Sequence, residues 1–268
     1  MKMNNPILFI DMSYYIFYRF YALCSWYKRS QDEPLDIENV MDNKLFIQKY
    51  HKLFIENIKK IQKKYKIENA LIIFAKDCRR YDIWRNKFYE DYKKNRDDKK
   101  RTFNSNIFIY TYDKIVPELE KLNIKIFQVD NAEGDDIIAT LKKKFRNQYD
   151  KLPIYIITND HDYLQLFDDN TYIYNLQGLN LRTKSRGETV DLKLKIIQGD
   201  ISDNITSIFQ KRMSLNKILE YVYDNEKLED YLNENNESLE LYNRNKLLID
   251  FDMIPENIKN NIKNLIDI

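Results

Sequence analysis

The stretch Ile124-Lys125-Ile126-Phe127-Gln128-Val129-Asp130-Asn131-Ala132-Glu133-Gly134-Asp135-Asp136-Ile137-Ile138-Ala139-Thr140 changes character twice. Its first part is a short run rich in β-branched and aromatic residues, which predicts a strand. Its last part places Ile137, Ile138, Leu141 and Phe145 on one side of a helix over residues 135–145. Glu133, Asp135 and Asp136 stand at the junction. Carboxylates brought together repel, so a fold that gathers them needs a cation. The usual cations for clustered carboxylate oxygens are magnesium and manganese.

Working outward, the same strand-then-acid pattern recurs. Ile7-Leu8-Phe9-Ile10 leads into Asp11, Leu71-Ile72-Ile73-Phe74-Ala75 into Asp77, and Ile154-Tyr155-Ile156-Ile157-Thr158 into Asp160 and Asp162. A fifth strand is expected over 171–176. Phe46, Tyr50, Leu53, Phe54, Ile58 and Ile61 recur at helical spacing through residue 65, and residues 117–122 read as the tail of another helix. Strands alternating with helices predict an α/β fold, a mostly parallel central sheet flanked by helices. Sites in such sheets form beyond the carboxyl ends of the strands, so Asp11, Asp77, Glu133 and Asp160 should converge. Downstream of about Asp191 the pattern turns helical and lysine-rich and carries Asp200 and Asp203. The expected division is an α/β domain over 1–190 and a helical subdomain over 191–268.

Each acid has a plainer explanation. Asp135 and Asp160 each precede helical segments and suit N-caps, while Asp200 and Asp203 suit turns. Capping leaves Glu133, Asp136 and the Asp160–Asp162 pair unexplained. Two ions about 3.5–4 Å apart would instead serve both the attacking and the leaving oxygen of a phosphodiester, with no histidine or serine nucleophile.

Composition narrows the alternatives. A chain of 268 residues can bury a full core, and no apolar run approaches the ~20 residues that span a bilayer. The start has no signal-peptide shape, so an intracellular site is expected, cytoplasm or a place of viral or phage replication. Cys24 and Cys78 stand in no metal-ligand spacing, and His51 and His161 read as a surface and a turn residue. The net charge of +2 averages 44 basic and 42 acidic residues, which leaves room for a basic rim beside an acidic cleft. That rim is legible as Arg79, Arg80, Arg85, Tyr89, Tyr92, Lys93, Lys94, Arg96, Lys99, Lys100 and Arg101, directly after Asp77. Its cations suit phosphates and its tyrosines suit unpaired bases.

These residues resemble a known family. Phe9-Ile10-Asp11-Met12-Ser13 with Tyr18-Arg19, then Trp84-Arg85 and Tyr92-Lys93-Lys94-Asn95-Arg96, are similar to motifs of the 5′ nuclease (flap endonuclease) superfamily, a PIN-like group. So are Ala132-Glu133-Gly134-Asp135-Asp136, Thr158-Asn159-Asp160-His161-Asp162 and Gly199-Asp200-Ile201-Ser202-Asp203-Asn204, in that order. The tail Leu248-Ile249-Asp250-Phe251-Asp252-Met253-Ile254-Pro255 resembles the later helical region of the ribonuclease H enzymes of T-even phages.

The resemblance implies a metal-dependent 5′-3′ exonuclease or flap endonuclease acting near the 5′ ends of DNA or RNA–DNA hybrids, in primer removal or repair. It implies two Mg2+ or Mn2+ ions, the first surrounded by Asp11, Asp77, Glu133, Asp135, Asp136 and Asp160, the second by Asp162, Asp200 and Asp203. Lys93 and Arg96 would stabilise charge on the scissile phosphate beside Asp160. Arg19, Arg79, Arg80, Arg85, Tyr92, Lys94, Lys211 and Arg212 would bind substrate, namely a 5′ flap, a single-stranded 5′ end, duplex DNA or a hybrid. A monomer, no membrane and replication proteins as possible partners complete the expectation.

Two departures stand out. Thr206-Ser207-Ile208-Phe209-Gln210-Lys211-Arg212 lacks the glycine of the family's duplex-gripping hairpin, though Lys211, Arg212 and Lys217 remain placed for phosphates. The arch-like segment, about 79–112, is short after Arg96, and the chain stops earlier than the phage enzyme. A binding module without catalysis and a PIN-like ribonuclease are the competing readings.

Overall fold

In the computed structural model, which describes residues 5–96 and 103–266, the apolar runs form one five-stranded parallel sheet. Its strands are β1 (Ile7–Asp11), β2 (Leu71–Ala75), β3 (Lys125–Phe127), β4 (Ile154–Ile157) and β5 (Thr171–Tyr174), in the order β3-β2-β1-β4-β5. Phe9 of the central strand stands opposite Ile73 on one side and Ile156 on the other. The chain reverses its direction of travel across the sheet between β1 and β4, and the crevice of a doubly wound sheet opens at such a switch. Asp97, Asp98, Lys99, Lys100 and Arg101 of the basic segment lie outside the described residues.

The helices are α1 (Met12–Ser30), α2 (Lys44–Tyr65), α3 (Asn106–Tyr110), α4 (Val116–Lys121), α5 (Gly134–Gln148), α6 (Glu188–Gln198), α7 (Leu215–Tyr223), α8 (Asn225–Glu234), α9 (Asn236–Ile249) and α10 (Glu256–Lys263). Both faces of the sheet are covered, as purely parallel sheets require. Ile7, Phe9, Ile73, Ile154 and Ile156 pack with Ile137, Leu141 and Phe145 of α5. Leu8, Ile10, Ile72, Phe74 and Ile157 pack with Tyr15, Phe20, Phe46 and Phe54 of α1 and α2.

Helix α1 has no counterpart in the sequence reading. It is crowded with tyrosine and phenylalanine, which lose side-chain freedom in a helix and carry no strong helical signal. What sets it is its start. The Asp11 carboxylate accepts a hydrogen bond from the Tyr14 amide at 2.9 Å and caps the helix, so the last strand residue is also the first helix determinant. The helix tail expected over 117–122 extends back through a π-helical turn (Thr111–Ile115) to α3, and that turn brings Tyr112 to the cleft.

Helices α6–α9 hold their own small apolar cluster around Ile197, Ile208, Ile218 and Leu232. The expected boundary at 190/191 falls inside α6. Beyond α9, Phe251, Ile254, Ile258 and Ile262 return to the main core against α5, so the chain's last helix covers the sheet rather than the helical subdomain.

Candidate active site

Four carboxylates meet at the carboxyl end of the sheet. Asp11 ends β1, Asp77 lies two residues past β2, Asp135 sits in the first turn of α5, and Asp160 follows β4. All four line one cavity of about 1130 Å3. The Thr158 hydroxyl reaches Asp11 at 3.4 Å, bridging β4 to β1 across the switch point. Asp77 accepts from the Ser13 hydroxyl at 2.5 Å and from the Gly134 amide at 2.7 Å. A Cβ at position 134 would stand 3.0 Å from the Ala75 carbonyl oxygen, so glycine lets α5 start this close to β2 where a larger residue would force the contact to give by a few tenths of an ångström.

Burial, then the neighbouring Asp77, pushes the Asp11 carboxyl up to about 7. Burial likewise raises Asp77, with Glu133 adding to it, and raises Asp135, with Glu133 and Asp136 adding to it. These acids share a cavity without a cation of their own.

The remaining acids are compensated. Asp136 is 0% exposed and accepts from both Arg85 terminal nitrogens, the Trp84 indole and the Glu133 amide, at 2.9–3.0 Å. Glu133 accepts from Arg85 at 2.9 Å, from the Tyr92 hydroxyl at 3.0 Å and from the Lys93 ammonium. Burial alone would raise the Glu133 carboxyl, but Lys93 and Arg85 hold it at about 2. Asp203 pairs with Lys93 at 3.5 Å and with Arg96, and accepts from Tyr92 at 3.2 Å. Asp162 and Asp200 share the ammonium of Lys195, which is 2.8 Å from Asp200.

The structure therefore brings the predicted acids together but sorts them. Oxygens of Glu133, Asp135 and Asp136 lie within 4.8 Å of one another, and so do oxygens of Asp162, Asp200 and Asp203. In the first group the hydrogen bonds already occupy Asp136, which points into the protein and not into the cavity. Its neighbour Asp135 keeps an oxygen free of hydrogen bonds among the described residues. The donor set of Asp11, Asp77, Asp135 and Asp160 fits a hard divalent ion: four carboxylates in one cavity, with Lys93 and Arg96 of the same cavity paired with Glu133 and Asp203.

The basic residues divide as well. Lys93, Arg96, Arg79 and Arg80 line the acidic cavity. Lys93 has a left-handed backbone (φ 58°), and its amide donates to the Asp203 carbonyl at 2.9 Å, which turns its ammonium onto Glu133. Arg85 does not reach the groove. It is 1% exposed, and besides Asp136 and Glu133 its Nε donates to the Leu248 carbonyl at 2.7 Å. The expectation that Arg85 binds substrate is corrected: it is an internal clamp between the acids and α9. Tyr92 is corrected in the same way, since its ring is buried and its hydroxyl is spent on Glu133 and Asp203. Arg19 stacks on Tyr15 and Tyr18 outside the cavity lining, and Lys94 faces Glu90 and Asp91. Lys211 and Arg212 line a separate, more apolar cavity of about 1420 Å3 with Asn95, Ile201 and Phe209.

A family model described as the 5′-3′ exonuclease, N-terminal resolvase-like domain, matches residues 6–195. The chain belongs to the 5′-3′ exonuclease family. A 5′-3′ exonuclease of Buchnera aphidicola (from Acyrthosiphon pisum) is 28% identical over 76% of the chain and 66% of the relative. The chain thus spans just under two thirds of that relative's length. The ribonuclease H of Enterobacteria phage T4 is 29% identical over 79% of the chain and 75% of its own length. Among solved structures, a bacteriophage T5 flap endonuclease in complex with DNA and metal ions superposes with a TM-score of 0.67 at 17% identity, covering 97% of each chain. The T5 protein co-crystallised with metal ions gives 0.68 at 18%, covering 98% of this chain and all of the other. These superpositions confirm the α/β fold of a 5′-3′ exonuclease.

Within this member of the family, sequence reading missed Ser13, Trp84, Thr158 and Lys195. Ser13 lies two residues after Asp11, a local signal that was available. Trp84 and Thr158 stood inside quoted motifs without a role. Lys195 carried no sequence signal, because its partners lie on other segments and only the packing of α6 brings them together.

Proposed function

We propose that this 5′-3′ exonuclease family member is a divalent-metal-dependent phosphodiesterase that cuts near 5′ ends, on flaps, single-stranded ends or RNA–DNA hybrids, in primer removal or repair. The observation that carries this reading is the one cavity in which Asp11, Asp77, Asp135 and Asp160 stand without a basic partner while Lys93 and Arg96 stand at its edge. Mg2+ or Mn2+ bound by Asp11, Asp77, Asp135 and Asp160 would lower the pKa of water and neutralise developing negative charge on a phosphate oxygen.

The chain's own residues then have distinct tasks. Asp11, Asp77, Asp135 and Asp160 orient the oxygens that hold the ion, and Ser13, Gly134 and Thr158 fix three of the contacts that aim them. Lys93 and Arg96 present donors toward the phosphate once the polyanion competes with Glu133 and Asp203 for them. Burial would lower the Lys93 ammonium pKa, but Glu133 raises it well above the ordinary value, so Lys93 acts as a fixed charge and not as a base. A second ion at Asp162, Asp200 and Asp203 requires Lys195 to move aside. Arg79 and Arg80 extend the grip along the strand.

The test is cleavage of end-labelled 5′-flap DNA and RNA–DNA hybrid with Mg2+, with EDTA and with Asp160→Asn. Cleavage lost in the last two supports the proposal. Full activity in either, or none in the wild type, sinks it.

A further inference from the structure

A third cavity, of about 750 Å3, lies beside the acids, and Asp160 and Ser202 line both it and the acidic cavity. Its other charged or titratable walls are His161, Lys184, Arg186, Asp191, Lys195 and Asp200. None of these belongs to the basic run after Asp77, and the sequence reading gave the cavity no role.

Three cations, Lys184, Arg186 and Lys195, and three carboxylates, Asp160, Asp191 and Asp200, line this cavity, so what sets it apart is which of them are paired. Lys195 is shared between Asp162 and Asp200. Asp191 is turned toward the loop before it, its oxygens accepting from the Ser185 hydroxyl at 2.5 Å and the Arg186 amide at 3.1 Å. Lys184 and Arg186 are exposed, and neither forms an ion pair among the described residues. Both stand just before the N-terminus of α6, where the helix dipole disfavours cations. The dipole of α6 therefore gives no reason for them, although Lys184 also ends the short 3-10 turn Leu181–Lys184, whose carboxyl end favours a cation. The plain alternative is two solvated surface charges. Against it stand their shared concavity and the Asp191 and Gly187 turn, which fixes the backbone between them.

We propose that Lys184 and Arg186, with His161 at the edge, seat a backbone phosphate of the nucleic acid, in the same strand as the phosphate being cut. Cations of two cavities that share Asp160 would hold that strand, the rim of Lys93, Arg96, Arg79 and Arg80 in one and this pair in the other. The proposal rests on the nuclease reading of the neighbouring site. Phosphate contacts position a strand without reading its sequence, so the pocket sets register and affinity and leaves base preference alone.

The experiment measures equilibrium binding of a 5′-flap DNA against salt, and cleavage in Mg2+, for wild type, the K184A/R186A double variant and a K121A/K125A control on the opposite side of the sheet. The double variant should bind about tenfold more weakly, lose about one unit of salt slope, and raise KM with kcat unchanged. Single methylphosphonate substitutions along the cut strand locate the contact. One position should weaken the wild type and have no further effect in the double variant. An equal loss in the control, or no such position, overturns the pocket. Wild-type cutting with an unaltered double variant sinks this inference alone, whereas no cutting by the wild type sinks the nuclease reading.

Discussion

Replacing Arg85 by methionine separates an internal clamp from a substrate-binding cation. The guanidinium holds Asp136 through two hydrogen bonds and Glu133 through one, and its Nε satisfies the Leu248 carbonyl. Removing one partner of a buried ion pair costs about 3–5 kcal/mol. The stranded carbonyl adds about 1 kcal/mol or more. Trp84 and the Glu133 amide remain on Asp136, and Lys93 and Tyr92 remain on Glu133, which keeps the loss toward the lower end. Methionine fills the aliphatic stem, so little packing is lost. The expected destabilisation is about 4 kcal/mol, or a drop in Tm of roughly 8–16 °C for a chain of this size. Urea unfolding at pH 7 measures it, alongside KM on a flap substrate. Because the missing cation is the cause, the double variant with Asp136→Leu should lose at least ~2 kcal/mol less than the sum of the single losses. Unfolding within about 1 kcal/mol of wild type together with a tenfold rise in KM would refute the clamp and restore Arg85 to the groove.

Asp11→Asn tests the uncompensated acids through pH. The Asp11 carboxyl is raised in the folded state to about 7 from an ordinary 3.8, so its contribution to stability is present below about pH 4 and lost as pH rises through 7. In EDTA the variant should match wild type near pH 4 and exceed it by up to about 4 kcal/mol above pH 7, and parallel stability curves would count against the repulsion. Lys93→Ala should lower kcat by about 10²–10³ with little change in KM, as loss of a transition-state donor does, while a change confined to KM would make Lys93 a simple grip. Lys195→Met should tighten binding of a second Mn2+ about tenfold in calorimetry, because the ammonium no longer competes for Asp162 and Asp200. Unchanged affinity would mean that the lysine already swings clear.

The centre of the sheet was legible because β1, β2 and β4 are buried on both faces and read as continuous apolar runs, each leading into an acid. Helix α1 was not legible, since its cue is a cap made by a strand residue and its aromatic body carries no helical bias. The α/β–helical boundary was drawn from a change in composition. Composition does not reveal that Ile258 and Ile262 turn back onto α5. The basic segment was read as one rim because its residues are contiguous. Folding splits it, sending Arg85 and Tyr92 inward and Lys93 and Arg96 to the cavity edge.

The acids show why a residue run cannot be converted into ligands one for one. Asp135 and Asp136 are the same residue type in the same first turn, yet neighbouring helix positions point about 100° apart. One therefore faces the cavity with an oxygen free of hydrogen bonds, and the other meets Arg85 and Trp84 in the interior. The pairing has a consequence for the ion. With Asp136 and Glu133 neutralised by Arg85 and Lys93, the charge left to attract a cation is concentrated on Asp11, Asp77, Asp135 and Asp160. Clamping some acids aims the others, and the clamp combines Arg85, which the sequence had assigned to substrate, with Lys93, which it had assigned to catalysis.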